Sequence, residues 1–208
     1  MLGKNAILVF LKHPKPGRVK TRLAATTSPE KAAQIYRRLV REVFARLPEG
    51  PEVIVMFDPP EERDAVAGWI LEMRPSLAPR LQFVAQQGPG LGERLTHAFA
   101  RAFAAGFEKV AAIGTDCIDM TSQHFDAVWH GLENHDCVLG PANDGGYYLI
   151  GLKAMHAAVF EGIAWSTATV YQQTLHQLAG AGLSLHELPV LSDIDDEKDW
   201  QASRLNRP

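Results

Sequence analysis

Cysteine is scarce in this 208-residue chain: Cys117 and Cys137 are the only two, they fall in different predicted elements, and neither belongs to a C-x-x-C pair. That pattern supports neither a redox pair nor a zinc site, and both thiols read as ordinary buried or half-buried groups. An excess of charge is also missing. The 21 Lys and Arg against 24 Asp and Glu leave a net charge of -3, so nothing global draws the chain to nucleic acid or to an acidic membrane surface, and any charge-driven function must be local. The apolar stretch between Met1 and Leu11 is far shorter than the roughly 20 residues that span a bilayer, and no small-residue cleavage site follows it. A cytoplasmic protein is the expectation. There is no G-x-S-x-G elbow, the eight histidines are scattered, and neither cysteine lies in an electropositive setting, which disfavours a covalent nucleophilic enzyme. Repeats, low-complexity tracts and composition breaks are lacking too, so residues 1–208 read as one domain, and a chain that is 46% hydrophobic can bury one sizeable core.

What is present is an alternation of strand-like and helical patterns. Strand-like runs occur at Ala6 to Leu11, Val53 to Phe57, Leu81 to Ala85, Val110 to Ile113, Cys137 to Leu139 and Tyr147 to Ile150. Between them Ser28 to Leu47 reads as the clearest helix: Ser28 can cap it, Pro29 suits its first turn, and Ile35, Leu39, Val43 and Leu47 recur on one face before Pro48 and Gly50 stop it. Weaker helical patterns cover Glu61 to Met73, Leu91 to Ala105, Thr121 to Glu133, Thr167 to Ala179 and Asp196 to Leu205. Such alternation predicts a three-layer α/β domain, a mostly parallel sheet with helices on both faces. In open sheets of this kind ligands bind outside the carboxyl ends of the strands, and the polar motifs sit at those predicted ends.

After the first strand the segment from Lys12 to Arg22 carries five cations, Lys12, Lys15, Arg18, Lys20 and Arg22. It is not a Walker A loop, because Val19 stands where Gly would precede Lys20-Thr21, and Pro14 and Pro16 remove backbone donors. Side-chain charge must do any phosphate binding there; charge alone fits a solvated loop equally well. Asp116, in Gly114-Thr115-Asp116-Cys117-Ile118-Asp119, follows the fourth strand and is the best metal-ligand candidate, whereas Asp119 reads as structural. Near the C-terminus Asp193 and Asp195 share one side of an extended segment, with Ile194 on the other, while Asp196 reads as a helix cap. The turn Asn143-Asp144-Gly145-Gly146-Tyr147 exposes Asp144 and lets backbone approach a ligand, although ordinary hairpins look the same. The link from Gln86 through Gly92, Glu93 and Arg94 into a helix offers free amides and a guanidinium.

Taken in order, Lys15-Pro16-Gly17-Arg18-Val19-Lys20-Thr21-Arg22-Leu23, Leu91-Gly92-Glu93-Arg94, Gly114-Thr115-Asp116-Cys117 and Asp144-Gly145-Gly146-Tyr147-Tyr148 resemble a bacterial family of glycosyltransferase-A-like proteins called DUF2064, provisionally described as nucleotide-diphospho-sugar transferases. Trp165-Ser166-Thr167 and Asp193-Ile194-Asp195 extend the resemblance to nearly the whole chain. Members usually have Pro where Ile118 follows the cysteine, a departure that touches the local turn rather than Asp116. The family is similar to phospholactate guanylyltransferases and molybdopterin nucleotidyltransferases, and some members are associated with arsenosugar biosynthesis.

The resemblance implies a glycosyltransferase-A fold and an enzyme that transfers a glycosyl group from a nucleotide diphospho-sugar to a small acceptor. Asp116, with Asp195 and Asp193, would hold Mg²⁺ or Mn²⁺ against the diphosphate, and Asp116 and Lys20 would act in catalysis. Lys12, Lys15, Arg18, Lys20 and Arg22 would neutralise phosphate. Gly92, Glu93, Arg94, Asp144, Gly145, Gly146 and Tyr147 would complete the substrate site. The alternatives are a nucleotidyltransferase acting on a phosphorylated small molecule, which the same basic loop would serve, and a non-catalytic nucleotide-binding regulator. A loop that is basic and Pro-containing rather than Gly-rich favours glycosyl transfer.

Overall fold

The structure, a computed structural model, describes residues 5–206; the first four residues of the stretch in which no leader is expected lie outside them. Seven strands form one sheet: β1 (Asn5–Lys12), β2 (Glu52–Asp58), β3 (Leu81–Ala85), β4 (Lys109–Ile113), β5 (Cys137–Pro141), β6 (Tyr147–Leu152) and β7 (Leu185–Glu187). Their spatial order is β3-β2-β1-β4-β6-β5-β7. β1 pairs in parallel with β2 and β4, β2 with β3, and β5 with β7, while both partners of β6 run against it. β6 alone is reversed, so the expectation of a mostly parallel sheet holds.

Helices cover both faces, as the alternation of buried residues along β1 requires. Ile7, Val9 and Leu11 point into one cluster, with Val40 and Phe44 of α2 (Pro29–Arg46), Ile70 of α3 (Arg63–Met73) and Phe125 and Val128 of α5 (Ser122–Asn134). Ala6 and Leu8 point into the other, with Leu95 and Phe99 of α4 (Leu91–Ala104) and Leu178 of α6 (Val170–Gly180). Each such fully buried Leu, Ile or Phe contributes about 1.5–3 kcal/mol of burial energy, so the two apolar layers fix the sheet between the helices. Ser28 caps α2, its Oγ accepting from the Lys31 amide at 3.1 Å, and Pro29 fills the first turn. The helix is buried on two sides rather than along one stripe: Val43 and Leu47 face the sheet cluster, whereas Ile35 and Leu39 face a third cluster with Leu23, Ile118, Ile194 and Trp200.

One α-helix and one strand were not expected. Thr21–Thr26 forms a short helix, α1, and β7 adds a three-residue edge strand. The last helix, α7 (Glu197–Ala202), is shorter than its pattern; Asp196 caps it, accepting from the Asp199 amide at 3.0 Å while Asp199 accepts from the amide of Asp196. Among the described residues no helix is long and apolar enough to cross a membrane.

Candidate active site

β1, β2, β3 and β4 all end at the same edge, where a cleft of about 950 Å³ opens. Its floor is built from two segments 77 residues apart. Asp116 follows β4, and its carbonyl accepts a hydrogen bond from the Ile194 amide at 3.1 Å. That bond lays residues 193–195 beside the end of the sheet. Ile194, 4% exposed, is held in the apolar cluster with Leu23 and Trp200, which turns its neighbours Asp193 and Asp195 to the opposite side, towards the cleft they line.

Lys20 lies between these carboxylates. It adopts a left-handed backbone conformation (φ 47°, ψ 52°) just before α1, and its side chain is 6% exposed. Its Nζ is 2.9 Å from Asp116 Oδ1 and 2.8 Å from Asp195 Oδ1. Burial by itself lowers the ammonium's pKa, but Asp116 and Asp195 outweigh burial and hold it above the ordinary lysine value. One ammonium does not balance the cluster. The Asp193 carboxyl is pushed up to about 7, first by burial and then by the charges of Asp116, Asp144 and Asp195, against a smaller pull from Lys20. Asp116 Oδ1 is closed to solvent and accepts no aligned hydrogen bond, so its contact with Lys20 is an ion pair only.

The arrangement bears directly on a metal. Among the described residues no three metal-ligating side chains already converge on one point, because Lys20 takes the place between Asp116 and Asp195. The donor set nevertheless fits Mg²⁺ or Mn²⁺: it is anionic, made only of oxygen, and short of positive charge.

The remaining sequence candidates divide. Lys12, Arg18 and Arg22 line the cleft with Lys20, and so do Arg94, Asp144, Gly146 and Tyr147. Lys15 instead pairs with Glu62, which also contacts His13 at 3.2 Å. Arg94 is largely committed to its own wall: its Nε donates to the Gly88 carbonyl and a terminal nitrogen donates to Gln86 Oε1, both at 3.0 Å. Gln86 in turn donates to the carbonyls of Met56 and Leu11, fastening this wall to β1 and β2. Glu93 packs over the turn at Gly88 and Gly90, and Gly92 gives room to Trp165, whose Nε1 would stand 2.6 Å from any Cβ placed there. Gly145 (φ 88°) similarly accommodates the Ala168 carbonyl, which an added Cβ would strike. Asp144 accepts from the Gly146 amide at 2.8 Å. Asp119 faces Arg204 at 3.4 Å.

Among the cleft residues that sequence reasoning left outside its site are Tyr36, Trp165 and Ser166. Tyr36, on the sheet-facing side of α2, accepts hydrogen bonds from the Lys12 amide at 3.0 Å and the Thr115 hydroxyl at 3.2 Å. Burial and then the charge of Asp116 push its hydroxyl up to about 12, so it stays protonated. Its one signal was a polar group within an apolar helical stripe. Trp165 and Ser166 line the cleft as well; they belonged to the motif resemblance, but nothing local to them indicated a wall. Cys117 and Cys137 are buried free thiols, the first pushed up to about 12 by burial and the nearby Asp193, the second further still by burial and Asp136. Neither is poised as a thiolate.

A seven-stranded sheet with carboxylates at its ligand edge and a basic loop along one wall places the protein in the nucleotide-diphospho-sugar transferase fold class. More particularly, the chain belongs to the DUF2064 family, described as an uncharacterized protein conserved in bacteria, which residues 38–167 match. A protein from Desulfovibrio desulfuricans, provisionally described as a nucleotide-diphospho-sugar transferase, is 35% identical, with 99% of this chain and 89% of that one covered and a TM-score of 0.87. Two more distant proteins share the fold alone. 4-Diphosphocytidyl-2C-methyl-D-erythritol synthase from Anaerococcus prevotii is 10% identical over 98% of this chain and 96% of its own, with a TM-score of 0.63. A mannosyltransferase from Pyrobaculum calidifontis, solved with GDP-mannose and Mn²⁺, is 14% identical over 97% of this chain and 60% of its own, with a TM-score of 0.56. No protein of curated function matches the sequence.

Proposed function

We propose that this protein is a metal-dependent transferase that takes a nucleotide diphospho-sugar as donor and glycosylates a small acceptor. The observation that carries the reading is the crowd of carboxylates, Asp116, Asp193 and Asp195, gathered around one ammonium at the floor of the cleft. A bound Mg²⁺ or Mn²⁺ would supply the missing positive charge to a departing diphosphate. Asp116 and Asp195, with Asp193, are the residues that would hold it. Lys20, held between Asp116 and Asp195, is the counter-charge that would turn towards phosphate oxygen once a metal ion takes over those carboxylates. Arg18 and Arg22 give the diphosphate two more cations, and Lys12 extends that wall. Tyr36 fixes the Lys12 backbone and Thr115, holding the basic segment against the strand that delivers Asp116.

Nucleotidyl transfer to a phosphorylated small molecule is the second reading. It is favoured by the same four cations, Lys12, Arg18, Lys20 and Arg22, which would equally hold a triphosphate, and by the fold shared with a diphosphocytidyl synthase. The test is calorimetric titration of UDP, GDP, CTP and their sugar conjugates, with Mn²⁺ and with chelator. Metal-dependent binding in the wild type, weakened about 100-fold or roughly 2.7 kcal/mol in a folded Asp116→Asn variant, is the expected result. Equal affinity with and without metal, or in both proteins, removes the metal and with it this mechanism.

A further inference from the structure

The cleft is divided by charge. All five cations that line it, Lys12, Arg18, Lys20, Arg22 and Arg94, come from the stretch between the end of β1 and the start of α1 and from the start of α4. The facing wall comes from the β5–β6 turn and the segment before α6, and it holds Asp144, Tyr147, Trp165, Ser166 and Thr167 without one Lys or Arg. Tyr147 and Trp165 meet edge to face, with ring centroids 6.3 Å apart. The Tyr147 hydroxyl is buried away from solvent without a hydrogen-bond partner, so the residue's contribution to the cleft is its ring.

This wall is pre-assembled. The Thr167 hydroxyl donates to the Ala164 carbonyl at 2.7 Å, the Ala164 amide donates to Gln173, and the Tyr171 amide donates to the Gly145 carbonyl at 2.9 Å. Gly145 lets the Asp144 turn sit directly on the Ala168 carbonyl, locking the two segments together. The wall also stores strain. Among the described residues only Lys20 and Ser166 (φ 65°) are non-glycine residues in the left-handed region, and both line the cleft. Such strain persists where surrounding structure enforces it, characteristically at ligand sites. Ser166 lines the cleft, and its hydroxyl has no hydrogen-bond partner among the described residues.

We infer that Asp144, Tyr147, Trp165, Ser166 and Thr167 form a subsite for an uncharged polyhydroxylated ring, the sugar of a nucleotide diphospho-sugar, and not for a phosphate-bearing acceptor. A phosphomonoester there would face Asp144 with no cation on its own wall, a like-charge contact that selects against it. A sugar presents C–H faces to aromatic rings and hydroxyls to the Asp144 carboxylate and Ser166 hydroxyl, which reject ligands lacking those groups. The assignment rests on the proposal that the opposite wall holds the nucleotide diphosphate.

Two variants test it by calorimetry with Mn²⁺, using UDP, GDP, a panel of UDP- and GDP-hexoses, and glucose 1-phosphate. Trp165→Ala removes half the aromatic wall, and thermal unfolding with Trp165→Phe as the conservative control reads any loss of fold. Ser166→Gly removes the hydroxyl and relieves the strained backbone, so it folds at least as well as the wild type. The expected result is that both variants weaken the best nucleotide-hexose, about tenfold for Trp165→Ala and several-fold for Ser166→Gly, while the parent nucleoside diphosphate changes less than twofold. Equal losses for the nucleotide and its hexose conjugate, or no loss in either variant, overturn the subsite while leaving the nucleotide reading intact. Glucose 1-phosphate binding that depends on Trp165 assigns the wall to a phosphorylated acceptor and also overturns it. If no nucleotide binds the wild type, the proposed function fails and this inference falls with it.

Discussion

Where β1, β2 and β4 end, Asp116 and Asp195 share Lys20, their charges and that of Asp144 add to burial in pushing the Asp193 carboxyl up, and neither Asp144 nor Asp193 has an ion pair among the described residues. At the other end of the same sheet, Asp136 accepts from the Ser184 hydroxyl at 2.6 Å and amide at 2.9 Å and pairs with Lys153 at 3.1 Å. Ser184's hydroxyl and amide, followed by Lys153, hold the Asp136 carboxyl well below the usual carboxylate range. One end is complete in itself; the other is short of counter-charge, as the proposed metal and nucleotide site requires. A carboxylate with all its partners stabilises a fold; carboxylates left short of counter-charge cost stability and are kept where they bind.

That contrast can be broken at its centre. Lys20→Ala removes the one ammonium among the carboxylates and should lower metal-free stability by about 1–3 kcal/mol, a figure below that for a fully buried pair because Asp116 and Asp195 remain partly exposed. Saturating Mn²⁺ should then raise the melting temperature more in the variant than in the wild type, since the ion replaces a lost cation. A variant as stable as the wild type without metal, or one that metal does not rescue, would remove the claimed deficit of positive charge.

At the opposite end Asp136→Asn should cost about 1 kcal/mol at neutral pH and leave nucleotide affinity unchanged. The sign follows from the depressed pKa: the contribution is present above the unfolded-state value near 4 and disappears as pH falls below it. Chemical denaturation of both proteins should therefore show a gap at pH 7 that closes towards pH 2, and a gap independent of pH would contradict the assignment. The smallest effect belongs to Lys15→Ala. Because Lys15 is paired with Glu62 outside the cleft, nucleotide affinity should change less than about twofold, and a larger loss would return Lys15 to the phosphate site.

Lys15 also marks the limit of what the sequence disclosed. Six strands and six of the seven longer helical segments were legible, because burial on two faces of a sheet imposes period-2 and period-3.6 patterns that survive in the residues. β7 was not, since Leu185-His186-Glu187 is too short and too polar to carry a period, and α1 starts from a left-handed lysine without a side-chain cap. The cation-rich segment was visible, but not which of its members would turn to Glu62. Asp116, Asp193 and Asp195 were separately legible as carboxylates at element ends, whereas the Ile194-to-Asp116 hydrogen bond that joins them spans 78 positions and leaves no local trace. Arg94 looked like a free ligand donor because its partners, the Gly88 carbonyl and the Gln86 side chain, have no sequence signature at all.

β6, the one reversed strand, lets the chain reach the ligand edge at Asp144 through a tight turn instead of a helical crossover. Every segment lining the cleft therefore enters from one rim of the molecule. The far rim is left to plain connections, among them the exposed left-handed turns at Gly106, between α4 and β4, and at Gly182, between α6 and β7. A reporter dye, an affinity handle or a new pair of chain ends inserted at either turn would sit a full strand length from the chemistry, so the protein offers two attachment points for surface display and single-molecule work at which the cleft stays open.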